Sequence, residues 1–231
     1  MLVLYPYDIT GFSALVSDHV NGNFIWIEYE CSVINGNPIG GVVMHKIQRQ
    51  LHTDHYHLQR LLDCFSYEID CYDFDSKRSA DLDIILSALD YIQTYPDKWH
   101  HPTEDIIFSR LLKKRVKESP LIEQLQDEHQ DIIEATEKIQ ELFNSVAEDC
   151  IVSADELLTR SRNYVKLQKR HLEKENEHVY PLMDSMFNEN EWREIEKEIQ
   201  TQNDPLFNNP SKKGYDHLYR YILDLEKSKQ D

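Results

Sequence analysis

Residues 169–176 read KRHLEKEN and residues 98–105 read KWHHPTED, so that His171 is followed four residues later by Glu175 and His100 by Glu104. On an α-helix an i,i+4 step puts both side chains on one face, about 6 Å apart. An imidazole nitrogen and a carboxylate oxygen can then reach one metal ion or two neighbouring ones. Either pair alone is the common solvated contact of a helix surface. Its weight comes from what lies around it.

Outward from these pairs the chain reads as helices. Ile47, Leu51, Leu58, Leu61, Leu62 and Phe65 form an apolar stripe over about 47–72. A second helix is expected from Ser79 as N-cap, with Leu82, Ile85, Leu86, Leu89 and Ile92 at helical spacing, interrupted at Pro96 and resumed past Pro102 through Leu112. Ser119-Pro120 opens a third that carries Ile122, Leu125, Ile132, Ile133, Ile139, Leu142 and Phe143. Ser153 and Glu156 form a capping-box pattern for a fourth that runs toward Pro181, and shorter helices are expected at 189–201 and 215–228. With only 6 Gly and 8 Pro in 231 residues, this predicts an all-α chain whose simplest packing is an up-down four-helix bundle with short C-terminal helices.

Each of the four helices presents a histidine beside its apolar stripe: His55 in LHTDHYHL, His100, His129 in QDEHQDII, and His171. His129 lies four residues after Leu125 and four before Ile133; His171 lies four after Leu167; His55 lies four after Leu51 and three before Leu58. All point inward. The expected metal ligands are therefore His55, His100, Glu104, His129, His171 and Glu175. One metal would be saturated by six protein donors, whereas two metals sharing the glutamates keep positions for solvent or a small ligand. Imidazole and carboxylate donors without thiolate suit iron, manganese or zinc, and iron is the expected metal. His52 and His101 read as outer neighbours of the ligands, and His178 as a further residue on the His171 stripe.

The formal charge of −17 opposes binding to phosphate backbones and anionic lipid headgroups. No apolar run reaches the ~18 residues that would span a bilayer, and MLVLYPYDITGF lacks the basic flank of a secretory signal, so a cytoplasmic location is expected, with neither nucleic acid nor membrane as partner. Cys31, Cys64, Cys71 and Cys150 form no CxxC pair, which leaves a zinc ribbon or thioredoxin site without support.

Residues 1–43 hold five of the six glycines and alternate β-formers over 23–30, as a strand or hairpin would. They read as an N-terminal extension to a bundle over 44–187, followed by a helical tail over 188–231. Codons for Gly40-Gly41 can spell a ribosome-binding sequence just upstream of Met44, which makes Met44 a candidate start. The intact mass of protein made from its own promoter decides this.

Together, LHTDHYHLQRLLD, YIQTYPDKWHHPTEDIIFSRLL, the EH of DEHQDII, RHLEKENEHVYPLM and the closing NDPLF resemble the hemerythrin-like, or HHE cation-binding, family over about 44–207. The resemblance implies a non-haem diiron bundle with an oxo- or hydroxo-bridged pair, held by the six residues named above. The invertebrate oxygen carriers of that family take two histidines four apart on the third helix and a late aspartate; Ile133 and Asn176 stand there instead. The expected function is binding or sensing of oxygen, nitric oxide or peroxide, or handling of iron. The alternative is an enzyme of nitrosative or oxidative stress that mends iron–sulfur clusters or reduces nitric oxide or peroxide, although the paired N-terminal cysteines typical of such repair proteins are missing from 1–43, which holds only Cys31.

Overall fold

A computed structural model describes residues 44–72, 78–200, 202–207 and 214–229, and before them the backbone of short strands between residues 2 and 38. The chain divides into two units, Met1–Arg49 and Gln50–Asp231. In the first, β1 (Leu2–Tyr7), β2 (Gly11–Ser17) and β3 (Phe24–Tyr29) pair antiparallel in that order. The strand expected over 23–30 coincides with β3.

The remainder is a helical bundle. The elements are α1 (Lys46–Asp70), α2 (Leu82–Thr94), a π turn at Pro96–His100, α3 (His101–Lys113), α4 (Ser119–Ala147), α5 (Ala154–Lys174), a second π turn at Glu175–Val179, α6 (Tyr180–Met186), α7 (Glu189–Glu198) and α8 (Asp216–Ser228). The π turns join α2 to α3 and α5 to α6, giving two long helices that each change pitch once.

Local chemistry fixes the ends. Asp81, two residues later than the expected Ser79, caps α2 by accepting from Ile84 N at 3.2 Å. Ser153 caps α5 through Glu156 N, as the sequence pattern predicts. Helix α4 ends in a Schellman turn, with Asp149 at φ 57°, Asp149 N donating to Val146 O and Cys150 N to Ser145 O. Aspartate is among the few residues that tolerate this left-handed backbone.

The core runs along the seam of the long helices. Leu58, Leu61, Leu62, Phe65, Ile85, Leu89, Ile92, Ile139, Phe143 and Tyr164 are buried in one cluster. Burial of each large side chain contributes about 1.5–3 kcal/mol relative to exposure, and that drive holds together an arrangement with many polar groups inside. Among those polar groups, buried Glu68 accepts from Asp81 N at 2.7 Å and meets Arg78 and Tyr221, which ties the α1–α2 connection to α8. Earlier in α1, His57 Nδ1 lies 2.9 Å from Asp204 Oδ2 while Asp204 Oδ1 accepts from Leu206 N and Phe207 N. The segment read as NDPLF is thereby fastened to the bundle. Among the described residues no helix is long and apolar enough to cross a membrane.

Candidate metal centre

The six residues singled out in the sequence come together in the bundle interior. All are buried: His55, His100, His129 and His171 at 4% exposure or less, Glu104 and Glu175 at 0%. One group of donors within 4.8 Å of one another comprises His101, Glu104, His129 and His171; another comprises His55, His100 and Glu104. Glu104 belongs to both. Glu175 also faces both, with Oε1 at 3.1 Å from His171 Nε2 and 3.3 Å from His129 Nε2, and Oε2 at 3.4 Å from His55 Nε2.

His101 is the residue that sequence reasoning placed outside this set. Its ring is 2% exposed and stacks on His129 at 4.5 Å and 16°. His100 and His101 point about 100° apart and flank Glu104, which lies four residues after the first and three after the second, so one histidine faces each donor group. The π turn Pro96–His100, closed by His101 N donating to Pro96 O, ends at this pair. The detectable signal was Asp97, four residues before His101, whose Oδ1 lies 3.4 Å from His101 Nδ1. His52 is buried beside Tyr180, and His178 is exposed.

Four histidines of the cluster, His55, His100, His129 and His171, turn Nδ1 outward to an oxygen. His55 Nδ1 lies 3.0 Å from Asn176 Oδ1, His100 Nδ1 3.2 Å from Asp54 Oδ2, His129 Nδ1 2.9 Å from Asp105 Oδ1, and His171 Nδ1 3.3 Å from Glu128 Oε2. These four contacts form a closed ring. Asp54, next to His55, holds His100; Asp105, next to Glu104, holds His129; Glu128, next to His129, holds His171; Asn176, next to Glu175, holds His55. An Nδ1–H engaged outside leaves the Nε2 lone pair facing inward, the tautomer that a metal ligand requires.

Electrostatics show how strongly the interior calls for positive charge. Burial disfavours a charged His55 and His129, yet the hydrogen bonds and charges of surrounding carboxylates prevail, raising His55 to about 10 and His129 to about 12. Burial likewise resists ionisation of Glu104 and Glu175, but the histidines hold both well below the usual carboxylate range. His101 goes the other way, lowered to about 4 by burial and by its histidine neighbours in spite of Asp97, and so is neutral with a lone pair to offer.

The donor set fits a metal. Among the described residues, buried His100 Nε2, His171 Nε2, Glu104 Oε2 and Glu175 Oε2 have no hydrogen-bond partner, although each lies against others of the cluster. Such atoms are costly to bury unpaired. Cations between them would satisfy all four at once.

The model of the hemerythrin HHE cation-binding domain matches residues 46–183. This chain belongs to that family. No curated protein matches the chain. The hemerythrin HHE match begins with α1 and ends in α6, so it takes in every residue of the cluster and its ring of outer acceptors. It is a cation-binding domain by family, and the buried histidine and glutamate groups are where its cations would be held.

Proposed function

We propose that this hemerythrin HHE domain is an up-down four-helix bundle holding two iron ions, one between His101, His129 and His171, the other between His55 and His100, with Glu104 and Glu175 shared. The observation that carries this reading is the position of Glu104, whose carboxylate lies within donor reach of both histidine groups. Two metals sharing carboxylates bring seven buried protein donors into use, which one metal could not.

A bound iron pair would supply one-electron redox chemistry and positions for a small ligand. The protein's own part is to fix and insulate that pair. The outer acceptors hold each imidazole in one tautomer and orientation; Phe108, whose ring lies 5.9 Å from that of His129, and Leu125 and Ile132 are fully buried nearby and exclude water. The ligand proposed is oxygen, nitric oxide or peroxide, bound or sensed, or the iron itself as cargo. Ile133 and Asn176 depart from the oxygen carriers and support sensing or iron handling above oxygen storage.

The test is metal per chain, with absorption spectra, on protein purified without oxygen and then exposed to air. About two irons with new near-ultraviolet absorption on oxidation supports the pair; zinc, or no metal, refutes it. Stoichiometric uptake of nitric oxide or peroxide would indicate a binding protein, and many turnovers per chain an enzyme of nitrosative or oxidative stress.

A further inference from the structure

Tyr180, the first residue of α6, brings a fully buried phenol into the group formed by His55, His100 and Glu104. It does so because of the second π turn, closed by Tyr180 N donating to Glu175 O. In a regular α-helix the residue five beyond Glu175 would stand well off the face that carries His171 and Glu175; the wider turn returns it to that face. The ring is wedged between His55, stacked at 4.7 Å and 19°, and His52, edge-on at 4.7 Å.

The hydroxyl oxygen lies 2.8 Å from His55 Nε2 and 2.5 Å from Glu104 Oε1, while those two atoms are 3.4 Å apart. Donors bound to a metal at about 2.1 Å and at right angles to one another are separated by about 3 Å. The three atoms therefore mark out a triangle of the size of one face of an octahedral coordination shell. A cation capping that face would take all three atoms as donors.

We propose that Tyr180 is itself a ligand, binding the iron of the His55/His100 half through its phenolate oxygen when that iron is ferric. The inference rests on the two-iron reading. On binding, the phenol O–H bond breaks and an iron–oxygen bond forms; the proton leaves to solvent and no electron moves. A hard anionic oxygen suits ferric iron, and tyrosinate serves as an iron ligand in haem proteins.

Wild-type protein and Tyr180→Phe are each loaded without oxygen with two ferrous ions per chain, oxidised with ferricyanide, desalted and assayed for iron, visible absorption and resonance Raman scattering. The expected result is two irons in both, with a visible ferric–phenolate charge-transfer band and enhanced tyrosine ring vibrations in the wild type alone. Tyr180→Leu repeats the comparison should the phenylalanine variant not fold. Two irons without that band in the wild type, or the same band in the variants, overturns the assignment of Tyr180 and leaves the two-iron centre standing. No iron uptake by the wild type overturns both.

Discussion

The two halves of the centre are built from the same residue types but anchored differently. His129 and His171 are backed by the carboxylates of Asp105 and Glu128, and His101 has the carboxylate of Asp97 beside it at 3.4 Å. His55 and His100 are backed by one amide, Asn176, and one carboxylate, Asp54. A carboxylate behind an imidazole raises its basicity more than an amide does. The three-histidine half thus has more imidazoles and more strongly polarised ones, so on the two-iron reading it should hold its metal the more tightly.

The largest effect should come from removing both metals. Each ion held at a free concentration a thousandfold above its Kd stabilises the fold by about 4 kcal/mol. In a domain of this size that is on the order of 10 °C in Tm per ion. A thermal scan after chelation that matches the loaded protein would mean that the bundle does not depend on its ions. Next, His101→Ala should leave one iron per chain, held by the two-histidine half, and His55→Ala one iron held by the other. Metal analysis showing two irons in His101→Ala would return that residue to an outer role.

A finer comparison exchanges the anchors. Asp105→Asn should weaken metal binding in the three-histidine half by about 10–100-fold, the usual cost of losing an outer carboxylate. Asn176→Asp should strengthen the other half, so that the two stepwise affinities converge in competition titrations with a chelator. Equal affinities in the wild type would remove the distinction altogether.

The response to pH separates loaded from metal-free protein. His55 and His129 have their pKa values raised in the fold, from 6.5 to about 10 and about 12, so their contribution to stability is full below pH 6.5 and fades as pH rises through those values. Metal-free protein should lose Tm from pH 6.5 to 10. Loaded protein should gain or hold Tm over the same interval, because protons cease to compete for the imidazoles. The smallest effect is expected at exposed His178: His178→Ala should change neither iron content nor Tm by a measurable amount.

Much of this was legible in the chain. The helix spans, the Ser153 cap and the convergence of His55, His100, Glu104, His129, His171 and Glu175 follow from a period of 3.6 residues and from i,i+4 spacing. What escaped were the places where that period changes. His101 and Tyr180 each stand beside a π turn; a stripe drawn at 100° per residue puts Tyr180 off the site, whereas His101 lies three residues before Glu104 and was legible as its i,i+3 neighbour. Pro96 and Pro102 signalled a disturbance in α2–α3 without giving its direction; α5–α6 carries no comparable marker before Pro181. The cap of α2 slipped from Ser79 to Asp81 for a simpler reason, since both residues are good caps and only the packing of Glu68 against Asp81 N selects one.

The ring of outer acceptors bears on how the bundle assembles. Each long helix carries an inward histidine or glutamate and, at the adjoining residue, the acceptor for a histidine on a neighbouring helix. A helix that docked one residue out of register would lose the link it provides and the link it receives in a single error. An apolar stripe can still pack after a slip of a whole turn, because one leucine can stand in for the next. Paired polar links cannot, so in the folded bundle the ring specifies a single register for the four helices.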